Sequence, residues 1–260
     1  MLWQVKGSGL FLLGSVHVLD VPPLPLNAAA WAAFGAATRV LFEHDLAQAP
    51  DVSFARLPPG ESLSLLIPAS LYASLEDRCR EWSIDIGNFS GLQPWLVAIS
   101  LSLKTAALAG MDPAYGVDKN LLPLARAQGK RIEFLEDAAG ALRNFAAAPM
   151  AEQIKMLSLA AQDVPGGIDF FQRLIGGWKA GRADLVLSCA KERVAQMPTM
   201  FGSLIEGRNR LWLPRLLALA NEWEPILVVA GALHMVGPAG LPTMLRQSGC
   251  GVIAVNVTGE

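Results

Sequence analysis

Two short, unbroken apolar runs, Leu10 to Leu13 and Ile226 to Ala230, each lead into a glycine that is followed three positions on by a histidine. The pairs are Gly14-Ser15-Val16-His17 and Gly231-Ala232-Leu233-His234. Continuous runs of branched residues are the signature of strands buried on both faces of a parallel sheet. The chain has three histidines and 24 glycines among 260 residues, so a repeated Gly-x-x-His stands above the chance level of a short motif. In each copy the glycine is expected to let the chain turn sharply. The histidine then arrives just past the carboxyl end of a strand, the edge at which open α/β sheets bind their ligands. The alternative is two unrelated loop histidines.

Other segments extend the pattern. Trp3 to Val5 and Leu10 to Leu13 read as a hairpin; Val40 to Phe42, Arg131 to Leu135 and Val252 to Val257 read as further strands. The first two of these end on Glu43 and Glu136. Strand alternation predicts that Glu43 faces the ligand edge and that His44 faces away, solvated or packed. A Pro-rich loop (Pro22, Pro23, Pro25) precedes a helix that Asn27 caps and that runs to about Thr38. Further helices are expected from Pro68 to Trp82, Gln93 to Leu108, Val117 to Gln128 (closed by Gly129), Glu206 to Glu222 and Gly240 to Gln247. Residues from about 138 to 205 read as a largely helical insertion or cap, broken near Pro165-Gly166-Gly167 and Gly176-Gly177, with a loop or short turn from Pro198 to Ile205. The whole is a single α/β domain over residues 1–260, a mostly parallel sheet flanked by helices. Arg208 and Arg210 fall near a helix start, where the macrodipole disfavours cations. They imply either something anionic opposite or plain solvation.

Composition narrows the class. A hydrophobic fraction of 52% against 17% charged residues calls for a large core and an apolar groove, and excludes a disordered chain. The net charge of −2, with no basic cluster, argues against nucleic acid as a partner. Cys79, Cys189 and Cys250 form neither a disulfide framework nor a zinc ribbon. The apolar stretch from Ile86 to Leu103 carries Asn88, Gln93 and Pro94 and makes a poor membrane span. The opening residues carry no secretory signal. The expected compartment is the cytoplasm if the chain is native as given, and the periplasm or exterior if a signal was removed. Exposed apolar surface would suit a homodimer.

The ordered set Trp3-Gln4-Val5, Leu12 to Val18, Glu43, Gly116-Val117-Asp118, Leu135-Glu136, Arg208-Asn209-Arg210-x-Trp212 and Gly231 to His234 with Gly237 and Gly240-Leu241 resembles the TraB/GumN family. That family includes the pheromone-shutdown proteins and the Tiki metalloproteases. The resemblance implies an α/β core with a helical insertion and a metal-dependent peptidase site. It marks His17, Glu43 and His234 as metal ligands and Arg208 and Asn209 as the matching Arg-Asn pair.

Two imidazoles and a carboxylate suit a catalytic divalent ion with an open position, and Zn, Mn or Co fits such donors. Glu43 would be a ligand or a general base. Arg208 or Asn209 would stabilise an oxyanion or hold a substrate carboxylate. Asp118 and Glu136 would accept the second N–H of a ligating histidine, or serve as ordinary helix-start charges; Arg210 joins them as a supporting residue. The substrate would be a peptide or small molecule. The competing expectation is a protein that sequesters a peptide or haem in the same cleft without turnover, and a third is a structural partner with an empty site.

Overall fold

Among the described residues six strands carry the architecture: β1 (Leu2–Val5), β2 (Leu10–Ser15), β3 (Arg39–Phe42), β4 (Arg131–Phe134), β5 (Ile226–Gly231) and β6 (Val252–Ala254). The computed structural model describes residues 1–20 and 24–255. Pro22 and Pro23 of the Pro-rich loop, and residues 256–257 of the expected last strand, lie outside them. The strands form one sheet in the order β4-β3-β5-β2-β1-β6. β4, β3, β5 and β2 run parallel, while β1 is antiparallel to both β2 and β6. The parallel registers align Ser15 with Gly231 and Phe42 with Val229. The segments after β2, β3, β4 and β5 therefore leave the sheet along one edge.

The inner parallel strands β2, β3 and β5 are largely apolar because both faces are covered, whereas the edge strand β4 carries Arg131 and Glu133 and is only partly buried. Leu10, Leu12, Leu13, Val40, Leu41, Leu227 and Val228 are all 0% exposed, and burying each such side chain is worth about 1.5–3 kcal/mol relative to leaving it in water. Twelve helices accompany them: α1 (Ala28–Ala36), α2 (Leu63–Leu66), α3 (Ala69–Glu81), α4 (Pro94–Leu108), α5 (Val117–Ala127), α6 (Gly140–Ala147), α7 (Met150–Gln162), α8 (Val164–Lys179), α9 (Ala183–Gln196), α10 (Pro198–Phe201), α11 (Arg208–Leu219) and α12 (Leu241–Gln247). One sheet face packs on α1, α5 and α8 through Phe34, Leu121 and Trp178. The other packs on α11 and α12 through Trp212, Leu216 and Leu245. A separate apolar cluster unites α2, α3, α4 and α7. Among the described residues no helix is long and apolar enough to cross a membrane.

Three expectations are corrected here. Residues 198–205 are helical, not a loop or short turn: α10 starts on Pro198 and a π-helical stretch, Gly202–Gly207, carries it into α11. Proline is compatible with a first helical turn, where its missing N–H costs nothing. Gly176 and Gly177 lie inside α8 and do not break it. Arg208 follows helical backbone at Gly207 (φ −58, ψ −48), so it does not sit at an exposed helix start and the macrodipole argument does not apply to it.

Candidate functional site

The sheet edge gathers residues from five separated segments. His17 stands in the turn after β2, Glu43 directly after β3, Glu136 shortly after β4, Arg208 on the first turn of α11, and His234 in a short 3-10 turn (Ala232–Met235) after β5. Glu43, His234 and His17 meet at Gly231. A methyl group placed on it would lie 3.3 Å from Glu43 Oε1, 3.6 Å from His234 Cδ2 and 3.8 Å from His17 Nε2. Neither Gly14 nor Gly231 has left-handed backbone. Gly231 therefore needs no left-handed turn; its missing side chain leaves room for the Glu43 carboxylate, while the two rings stand at ordinary contact distance.

His17 is fixed from below. Its Nδ1 meets Asp118 Oδ2, which leaves Nε2 to face Gly231. Asp118 reaches it from the first turn of α5, whose start is tied to the His17 segment by Val117 N–H donating to Val16 O at 2.8 Å. That approach requires Gly116, since a Cβ there would fall 2.4 Å from His17 O. With 58% of its side chain exposed, His17 forms the rim, and the neighbouring Asp118 carboxylate pushes it up to about 9.

His234 is buried. Its Nδ1 donates to Asn209 Oδ1 at 2.7 Å, and its Nε2 accepts from Arg208 Nη1 at 3.0 Å. Its ring also lies against Trp212, with centroids 4.7 Å apart. Burial lowers it to about 3, so it is neutral at physiological pH. Asn209 donates in turn to the carbonyls of His234 (3.1 Å) and Ala239 (2.7 Å). With every polar atom of its side chain so engaged, Asn209 orients His234 and has none left for an oxyanion.

Arg208 is the hub. Its Nη2 donates to Glu43 Oε2 and, at 2.6 Å, to Glu136 Oε1; its Nε donates to Glu136 Oε2 at 3.2 Å. The other oxygen of Glu43 accepts the Gly231 N–H at 2.6 Å. Burial alone would raise the Glu43 carboxyl, but the two imidazoles, the Arg208 guanidinium and this N–H outweigh it and hold the group well below the usual range. Glu136 therefore supports the arginine and accepts from no histidine. Arg210 points away: it pairs with Glu206 at 2.5 Å and its side chain is 70% exposed.

Beneath the rim, His17, Phe42, Glu43, His44, Leu46, Asp118 and Val229 line a cavity of about 10 Å³, the size of one water or ion. His44 is not turned away from Glu43 as strand alternation would have it, because β3 ends at Phe42 and the next two residues bend. One ring nitrogen of His44 and oxygens of Glu43 and Glu136 lie within 4.8 Å of one another. His44 Nδ1 and Asp118 Oδ1 are buried without a partner among the described residues.

The donors suit a divalent ion. Both His17 and His234 have Nδ1 held by an oxygen, the arrangement that presents Nε2 of a metal-binding histidine, and Glu43 is ionised beside them. Arg208 now takes the lone pairs of His234 and Glu43 that such an ion would use.

The model of the TraB/PrgY/gumN family matches residues 1–253. The uncharacterized protein YbaP of Escherichia coli (strain K12) is 26% identical over 238 residues, covering 90% of this chain and 87% of its own. YbaP of Shigella flexneri matches to the same extent. No solved structure matches the chain.

Proposed function

The chain belongs to the TraB/PrgY/gumN family, and from that membership and the geometry of the sheet edge we propose that it is a metal-dependent hydrolase acting on peptide amides. The observation that carries the reading is the convergence of Glu43, His17 and His234 on Gly231, each imidazole with its Nδ1 already held. His17, Glu43 and His234 would hold the ion. Bound there, a divalent cation such as Zn, Mn or Co would acidify a water for attack on a carbonyl.

The remaining roles belong to the chain's own groups. Asp118 and Asn209 orient the two imidazoles. Glu43, ionised, is able to take a proton at its Oε2 once Arg208 withdraws from it. Arg208, kept charged by Glu43 and Glu136, has the fork geometry to hold a substrate carboxylate or a developing oxyanion. Glu136 keeps that fork in place through two hydrogen bonds.

Elemental analysis of the purified protein against His17→Ala and His234→Ala, followed by peptide cleavage with and without chelator, tests the proposal. Near-stoichiometric metal lost in both variants, with chelator-sensitive cleavage, is the expected result. Metal-free wild type that develops a Soret band on adding haem would replace it with a sequestering protein.

A further inference from the structure

We propose that His44 is a ligand of the divalent cation held in this cleft. The inference rests on the metal-binding reading above and extends it to a residue outside both Gly-x-x-His motifs.

A buried lone pair that accepts nothing carries a desolvation cost, and native structures rarely leave one without water or an ion. His44 Nδ1 is such a group, and so is Asp118 Oδ1. Both residues border the same cavity of about 10 Å³, with His17 and Glu43 completing its wall. Two residues with an unpartnered buried polar atom wall one water-sized space beside an ionised carboxylate, a setting that suits a cation. The spacing agrees: the ligand atoms of His44, Glu43 and Glu136 lie within 4.8 Å of one another, close to the span of two metal–donor bonds of about 2.2 Å each. His234 presents the opposite picture. Its two ring nitrogens already bond Asn209 and Arg208, so it offers no lone pair until Arg208 moves. His44 needs no such release.

With His44 as a ligand the centre would favour a transition ion over magnesium. A second accessible imidazole beside His17 shifts the donor set toward nitrogen, which Zn, Co and Mn accept more readily than Mg. A single water in the cavity would satisfy the same orphaned atoms, and the experiment separates the two occupants.

The full-length protein, stripped with chelator, is titrated with cobalt(II) chloride, following the visible absorption of the bound ion, and with zinc chloride by calorimetry. His44→Gln keeps a polar side chain for a water but is a poor transition-metal ligand. The expected result is an affinity at least about tenfold weaker and an altered cobalt spectrum in His44→Gln, with His44→Asn as a second variant and thermal unfolding in chelator confirming the fold of each. Wild-type affinity and spectrum in the variants, with binding lost in His17→Ala and Glu43→Gln, would overturn the role of His44 and leave the hydrolase reading standing. A wild type that binds neither metal would overturn both.

Discussion

Arg208 donates to Nε2 of His234 at 3.0 Å while another of its nitrogens bridges Glu43 and Glu136. One guanidinium thereby pairs with two carboxylates and occupies an imidazole lone pair at the same moment. Removing it leaves the carboxylates uncompensated in a dry setting. Arg208→Gln is expected to lose about 3–5 kcal/mol in urea denaturation without metal. Adding saturating zinc should recover more stability in the variant than in the wild type, because an ion would then stand in for the missing charge. Equal metal-induced shifts in melting temperature would show that the arginine and the ion do not compete.

The two histidines set opposite limits on stability. His17, pushed up to about 9 by Asp118 from an ordinary 6.5, contributes fully below 6.5 and loses that contribution as pH rises through 9. His234, lowered to about 3 by burial, stays neutral where the unfolded chain would bind a proton, so stability falls as pH drops from about 6.5 toward 3. Glu43, held below its usual range, adds to the acid loss. Metal-free protein should therefore be most stable near pH 6.5. In Asp118→Asn the alkaline decline should flatten, and the His17 ring, followed by NMR, should titrate near 6.5 in place of about 9.

Gly231→Ala adds one methyl where no strain in φ opposes it (φ −51) but where Glu43 Oε1 lies at 3.3 Å. The expected loss of stability is about 1 kcal/mol, while hydrolysis should fall by about 100-fold, since small misplacements of reacting groups cost that much. A variant with full cleavage rates would remove Gly231 from the centre.

Neighbours on α11 should differ sharply. Arg210→Ala, at an exposed ion pair, is expected to stay within about 0.5 kcal/mol of wild type and to keep its metal. Asn209→Ala deletes three buried hydrogen bonds and should cost about 3 kcal/mol while freeing the His234 ring to turn. Urea midpoints and metal content of the two proteins, measured side by side, check the contrast.

The strand ends were legible because apolar runs and the residues that follow them can be read directly: Leu10 to Leu13, Val40 to Phe42 and Ile226 to Ala230 all became sheet strands. Asn27 capping α1 through Ala30 N–H and Gly129 closing α5 with φ 66 are local signals of the same kind. What failed was what depends on distant partners. Gly176 and Gly177 read as breakers, yet packing of α8 overrides their weak propensity. The bend at Glu43-His44 ends the alternation that would have turned His44 outward. Asn209 reads equally well as an oxyanion donor until the His234 carbonyl and ring are seen to use it up. Arg210 sits two residues from Arg208 in sequence but on the solvent side of the helix.

The position of β5 between β3 and β2 bears on how the protein is made. During synthesis the first four strands emerge long before residues 226–231, so the nascent sheet has a gap at its centre until the last part of the chain arrives. Gly231 and His234 come in with that strand. An unfinished polypeptide therefore has no assembled cleft, and whatever reactivity the site confers is withheld from the ribosome-bound chain and from its neighbours until β5 slots in.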